Sequence, residues 1–251
     1  MSKQPSTFAS FSKALGQAAA SAAKAAGQVA STAVSEVSAM VGVKCLRNYM
    51  VSDEVVTAAG PQQLWKIYRG KSKLEGAPFK LVSVWVLEKR FIHGDAATKE
   101  AFLDLCRRDA AFLTRLKHPC VLRLIEPFEE TRTQLVMVTE CIVATAGDFI
   151  KAAKIGAGRP GLEDVVPLSE LEVKHGMLQI AEGLNFLHTE ANTVHCGLSP
   201  SSVFLTPGGV WKVGCFAFAR TAEFSANIED NACHFDYQGA NVALYVRNCS
   251  C

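Results

Sequence analysis

Between Trp65 and Leu116 the chain changes its hydrophobic period once, and that change restricts the fold more than any other feature. Trp65-Lys66-Ile67-Tyr68, leading to Gly70, and the run from Lys80 to Leu87 read as strands, the second with apolar residues at a period of two. Glu75-Gly76-Ala77-Pro78 between them has turn chemistry, so the pair predicts a hairpin. From Lys99 to Leu116 the period lengthens: Phe102, Leu105, Cys106, Asp109, Phe112, Leu113 and Leu116 fall near one side of a helix. His118-Pro119 stops it, because the residue before a proline is pushed out of the helical region. Two short apolar strands follow, Val121 to Ile125 and Leu135 to Thr139. One helix set among short strands is an α+β pattern.

The remainder is first helical. Val173 to His188 carries Val173, Met177, Ile180, Ala181, Leu184 and Leu187 on one face, which predicts a buried helix. Ahead of it, Ile155-Gly156-Ala157-Gly158-Arg159-Pro160-Gly161 reads as a loop. Behind it, Val203-Phe204-Leu205 and Val210-Trp211-Lys212-Val213 are joined by Thr206-Pro207-Gly208-Gly209, a second hairpin signal.

Residues 1 to about 43 differ in kind. Phe8 to Val43 is rich in Ala and Ser and lacks proline, and Phe8, Phe11, Leu15, Ala18, Ala22, Ala26, Val29, Ala33 and Val37 form one apolar stripe at helical spacing. Three readings compete: a weakly stable, partly disordered helix, since alanine buries little area; a helix lying on a membrane surface through Phe8, Phe11 and Leu15; and a mitochondrial presequence. The absence of any Arg before Arg47 counts against the last.

The 251 residues, 49% of them hydrophobic, allow one or two domains with a sizeable core. Twenty-six basic residues against 24 acidic ones leave a net charge of +2, which argues against nucleic acid as the main partner. No stretch approaches the roughly 18 consecutive apolar residues of a membrane span, so the chain is expected to be soluble or peripheral. Nine cysteines without a Cys-x-x-Cys pair form neither a zinc pattern nor a disulfide framework, and read as reduced cytosolic thiols, mostly small core residues.

Four segments then stand out together: Leu113-Thr114-Arg115-Leu116-Lys117-His118-Pro119, Gly183-Leu184-Asn185-Phe186-Leu187-His188, Val194 to Val203 and Trp211-Lys212-Val213-Gly214-Cys215-Phe216. In this order they resemble the protein-kinase fold: the end of the small-lobe helix, the large-lobe helix, the catalytic loop and the metal-binding segment. Leu64-Trp65-Lys66-Ile67, Glu172-Val173-Lys174-His175-Gly176 and the Ala/Ser/Lys N-terminus are similar to the SCY-like pseudokinases, in the branch described as coated-vesicle-associated kinase. The resemblance spans about residues 45 to 220. It implies a five-stranded antiparallel small lobe over 44–143 and a partial, mainly helical large lobe over 144–220, with 1–43 an N-terminal helix and 221–251 a divergent tail. Its fading after Arg220 suggests a truncated or divergent chain, with Val242 to Val246 a short strand or a scar of truncation. The large-lobe helix would be left with an uncovered face.

Phosphoryl transfer by such a fold needs charged groups around ATP and metal, and backbone amides over the phosphates. At the three positions of the phosphate-loop glycines this sequence has Thr57, Ala59 and Gln62, with Gly60 displaced and Pro61 beside it. Trp85 takes the place of the phosphate-holding lysine, where it is expected to fill the nucleotide cleft. Asp109 takes the place of that lysine's Glu partner and is expected to be solvated or locally paired. Gly197 replaces the catalytic carboxylate, Ser199 and Ser202 the downstream Lys and Asn, and Cys215 the magnesium-holding Asp, although soft sulfur suits magnesium poorly. His195, Leu113 and Phe216 are kept, and by resemblance pack into an internal apolar column.

The implied function is therefore a binding scaffold without catalysis and without a cofactor. Its expected partners are proteins, including vesicle-coat or adaptor proteins, with peripheral contact to Golgi or endosomal membranes through the N-terminal helix. An atypical kinase with weak ATP binding, drawing on Lys66, Asp148 or Asp236, is the alternative. A truncated product with no activity of its own is the third.

Overall fold

The computed structural model describes residues 43–155 and 168–221, together with the backbone of two short strands at 234–237 and 240–243. The N-terminal stripe, the glycine-rich loop 156–161 and the side chains of the tail lie outside the described residues.

The small lobe is a five-stranded antiparallel sheet: β1 (Tyr49–Ala59), β2 (Trp65–Ser72), β3 (Leu81–Glu88), β4 (Leu124–Glu130) and β5 (Gln134–Glu140), in the order β1-β2-β3-β5-β4. The predicted hairpin is present, with Tyr68 opposite Val84 and Lys71 opposite Leu81. The helix α1 (Ala96–Arg115) begins three residues earlier than its apolar period, because Asp95 accepts the Thr98 N–H at 2.8 Å and caps it. Alternation then divides the sheet's side chains between two cores. Trp65, Ile67, Trp85, Leu87, Leu135 and Met137 face α1 and the large lobe. Tyr68, Val82, Val84, Val86, Val136 and Val138 face the other way, where Val43, Leu46 and Tyr49 cover them. Glu129 fastens that cover by accepting the backbone N–H groups of Lys44 at 3.1 Å and Cys45 at 2.9 Å.

The strand expected at Val121 to Ile125 is corrected. The edge strand starts at Leu124 and runs through Pro127, with two register irregularities against β5. Val121 and Leu122 instead pair with Val213 in the large lobe. There, β6 (Ala144–Thr145) leads into α2 (Ala146–Ile155), and α3 (Glu170–Thr189) is followed by β7 (Thr193–Val194). The hairpin β8 (Val203–Leu205) and β9 (Trp211–Val213) joins β6 in a three-stranded sheet, and β10 (Arg220–Thr221) returns to pair with β7. Beyond it, β11 (His234–Tyr237) pairs with β12 (Ala240–Ala243), so the strand in the tail starts before the expected Val242.

The buried face of α3 also differs from expectation. Gly176, Ile180, Gly183 and Leu187 turn inward, while Val173, Met177 and Leu178 are exposed. The glycines explain the rotation. A Cβ at Gly176 would sit 2.2 Å from the Trp211 ring and one at Gly183 3.1 Å from the Cys120 carbonyl oxygen, so the helix lies against β9 and the Cys120 turn on its smallest residues. No helix among the described residues is long and apolar enough to cross a membrane.

Candidate functional site

Trp85 sits in the middle of β3, opposite Ile67 and Met137, on the face turned toward the large lobe. Its side chain is fully buried. The indole N–H donates to Thr139 Oγ1 at 2.9 Å, and the ring meets Trp65 edge-on at 6.2 Å between centroids. On the other side it meets Phe204 of β8 at 5.3 Å. Phe204 belongs to the large lobe, so the indole spans the cleft between the lobes. Burying a tryptophan removes about 150–250 Å² from water, which at about 25 cal/mol per Å² corresponds to about 4–6 kcal/mol.

Residues 141–143 strap the two lobes together. The Ile142 N–H donates to Ser83 Oγ at 2.9 Å, and the Val143 N–H to the Leu205 carbonyl at 2.8 Å. A purine edge seeking backbone donors on this strap finds these two taken.

The β1–β2 turn consists of Gly60 and a 3-10 turn, Pro61–Gln63. Gly60 has φ +72°, and an added Cβ would lie 2.5 Å from Trp65 Cδ1, so only glycine fits. The positions read as a degenerate glycine loop do not converge on a ligand. The Thr57 hydroxyl donates to Asp148 Oδ2 at 2.5 Å, Ala59 is buried in the core, and Gln62 is exposed. Asp148 Oδ2 also accepts the Thr145 N–H and hydroxyl, each at 2.8 Å. Asp148, a candidate of the atypical-kinase reading, is thus the anchor of a clasp between β1 and α2.

Asp109 is neither solvated nor locally paired, contrary to expectation. It is 1% exposed, and its Oδ1 accepts the Phe216 N–H at 2.7 Å from 107 residues away. Oδ2 is buried with no partner among the described residues. The cause is the helical stripe itself, which carries position 109 inward with Cys106, Phe112 and Leu113. Burial pushes its carboxyl up to about 7, opposed by the Phe216 amide.

Phe216 also belongs to the column that the resemblance implies here. Leu113 and Phe216 are fully buried, His195 is 2% exposed, and the His195 ring lies 4.9 Å from that of Phe216. His195 Nδ1 accepts the Gly197 N–H at 3.2 Å, which leaves Nε2–H to donate to the Gly214 carbonyl at 2.9 Å. That neutral tautomer agrees with burial, which lowers its pKa. Gly197 has the Phe218 ring 3.2 Å from where a Cβ would be.

Cys215 is buried in a left-handed conformation, φ 62°. Burial and the adjacent Asp109 hold it as a thiol, although the Gly60 backbone amide hydrogen-bonds its sulfur. The Ser199 N–H donates to Ser202 Oγ at 2.8 Å, and that hydroxyl donates to the Ser199 carbonyl at 2.9 Å. Ser202 is thereby turned into its own loop, and the Ser199 hydroxyl shares a proton with Ser201 at 3.1 Å.

Among the described residues, a cleft of about 210 Å³ lies between Gly60, Pro61, Gly197, Ser199, Cys215 and Phe218. No charged side chain lines it. A nucleoside triphosphate with magnesium needs cations for its phosphates and hard oxygens for its metal, so these residues do not fit it. Of the other candidates, Lys66 Nζ lies over the Phe91 ring at 5.3 Å, and Asp236 is on β11 with its side chain outside the described residues. Phe8, Phe11 and Leu15 lie outside the described residues. Sequence reasoning missed Ser83 and the Thr57–Asp148 pair. The signal for Ser83 was a hydroxyl amid the apolar run of β3, which once buried must find a partner.

Comparison with known proteins agrees with this architecture. The family model described as protein kinase domain matches residues 85–243, starting and ending later than the 45–220 read from the sequence. Protein kinase domain-containing protein ppk32 of Schizosaccharomyces pombe is 32% identical over 197 residues, 73% of this chain and 25% of that protein. SCY1-like protein 2 of Mus musculus is 32% identical over 184 residues, 72% of this chain and 19% of that one. The probable inactive serine/threonine-protein kinase scy1 of Dictyostelium discoideum is 26% identical over 164 residues, 65% of this chain and 17% of that one. The chain thus spans a quarter or less of the length of these relatives. With the family model covering well over half its residues, the chain belongs to the protein kinase domain family, in its SCY1-like group.

Proposed function

We propose that this kinase-like domain does not transfer phosphate and acts as a binding scaffold. The observation that carries the reading is Trp85, an uncharged indole packed between Trp65 and Phe204 in the cleft where a nucleotide would need a cation. Asp109 bonded to a backbone amide, Asp148 held by Thr57 and Cys215 kept as a thiol support it further. A SCY1-like relative named as a probable inactive kinase adds to the same side. Its partners in this proposal are vesicle-coat or adaptor proteins at Golgi or endosomal membranes, as the coated-vesicle resemblance implies, with Phe8, Phe11 and Leu15 on a membrane-lying helix.

A thermal-shift titration with ATP and magnesium tests the first half, since a ligand that binds only the folded state must raise the melting temperature. The expected result is no shift at millimolar nucleotide. A saturable shift, together with peptide labelling that a cleft substitution abolishes, would overturn the reading. Vesicle flotation of the full chain against a Phe8→Ser/Phe11→Ser/Leu15→Ser variant tests the second half, and equal recovery of the two would remove the helix from it.

A further inference from the structure

The hairpin that joins β2 to β3 ends in a surface that combines exposed apolar side chains with cations. The register sets Met50 opposite Lys71 and Lys71 opposite Leu81, so the three share one face of the sheet at its hairpin end. Met50 is 53% exposed, Leu81 47%, and Leu74 in the turn 56%. Lys71, Lys73 and Lys80 are exposed around them. Arg47 joins the group because the Lys73 N–H donates to the Asn48 carbonyl at 2.8 Å and Lys73 Nζ to the Arg47 carbonyl at 3.0 Å. Arg69, two residues before Lys71 on β2, extends the positive face, while Arg123 stacks on Phe79 at 5.2 Å on the other side of the sheet. Glu75 is the carboxylate of the turn, and Asp53 and Glu54 lie in the irregular part of β1. Among the described residues, Arg47, Lys71, Lys73 and Lys80 form no ion pair.

We propose that this hairpin docks on an anionic lipid bilayer, with Leu74, Met50 and Leu81 entering the headgroup layer and Arg47, Lys71, Lys73 and Lys80 pairing with its negative charge. Shape selects the bilayer over an acidic peptide. The turn stands open, with nothing within 4 Å of a Cβ built at Gly76, and although β1 leaves a free strand edge beside it, the exposed apolar side chains lie on a face flanked by cations rather than in a groove. A bilayer accepts a protruding apolar tip and spreads its charge among the flanking cations. The proposal rests on the membrane half of the scaffold reading and adds a second contact, in the folded lobe, to the N-terminal one.

Co-sedimentation of the full chain with vesicles of phosphatidylcholine and phosphatidylserine in equal parts, against phosphatidylcholine alone, tests it. Wild type should bind the anionic vesicles and lose binding as salt rises. Lys73→Gln/Lys80→Gln, with its melting temperature checked, should weaken binding roughly 30-fold, and Leu74→Ser should weaken it at every salt concentration. If the hairpin variants bind like wild type while the Phe8→Ser/Phe11→Ser/Leu15→Ser variant does not, the hairpin proposal fails and the membrane reading stands. If wild type ignores both vesicles, the two fall together. Hairpin-dependent binding of polyglutamate without vesicle binding overturns the bilayer in favour of an acidic polypeptide.

Discussion

Replacing Trp85 by alanine empties the space between Trp65 and Phe204 while leaving every backbone hydrogen bond of β3 in place. The transfer cost of the lost indole is about 4–6 kcal/mol from its area, and tryptophan-to-alanine substitutions in cores cost about 3–5 kcal/mol because neighbours relax into part of the cavity. Thr139 loses the indole N–H but still donates to the Glu140 carbonyl at 3.0 Å, so no hydroxyl proton is orphaned. A loss of about 3–5 kcal/mol in a chain of this size lowers the melting temperature by roughly 6–20 °C. Urea unfolding followed by circular dichroism, with a parallel thermal scan, measures both. The scan repeated with ATP and magnesium should show no rescue, since Ser83, Leu205 and Thr57 still occupy the Ile142, Val143 and Asp148 groups. A cost below about 1 kcal/mol, against the core-truncation range, would refute the claim that the indole is the plug. Nucleotide stabilisation that appears only in the variant would show that it was the sole obstacle.

Three further outcomes follow from the same contacts. Buried Asp109 holds its proton to about pH 7, whereas the unfolded chain releases it near its ordinary value. Its contribution is therefore fully present below the unfolded pKa and is lost as pH rises through the folded one. Asp109→Asn does not titrate, so the variant should gain on wild type as pH rises from about 4 to 7, by at most ~1.4 kcal/mol per unit. A difference that stays flat in urea melts across that range would contradict this. Thr57→Val keeps the shape of the side chain but removes its bond to a carboxylate, and should cost about 1.5–3 kcal/mol by the urea midpoint. Gly176→Ala drives a methyl into the Trp211 ring and should cost about 3 kcal/mol or more, whereas Gly76→Ala, open but at φ +78°, should cost only about 1–2 kcal/mol in a thermal melt.

The elements with a clear period were legible. The β2–β3 hairpin, α1, α3 and the β8–β9 hairpin all follow from spacing, and α3 could have been started correctly, because Ser169 and Glu172 form a capping box before its apolar period begins. What stayed hidden was non-local. Val121 and Leu122 look like any short apolar strand, and only the fold reveals that Val213 is their partner. The helical stripe contained Asp109 but gave no sign that its acceptor would be used by an amide 107 residues away. On α3, small residues hide the true buried face, since Gly176 and Gly183 add nothing to an apolar pattern while permitting the closest approach. At the cleft, the side chains read as substitutions could be named one by one from the sequence. Their arrangement could not, because Thr57 and Asp148 meet across 91 residues.

That last clasp has a mechanical consequence. A catalyst with two jaws must gape and shut to admit one reactant and expel another, and the roof must swing freely on its strap. Here the hydroxyl of Thr57 ties the roof to the carboxylate at the head of α2, the serine of β3 ties it to the strap, and the indole wedges the gap. Among the described residues, these three contacts hold the lobes together at the front, the back and the middle of the cleft. On the scaffold reading proposed above, a partner meets that closed outline, and recognition is written in surface rather than in motion.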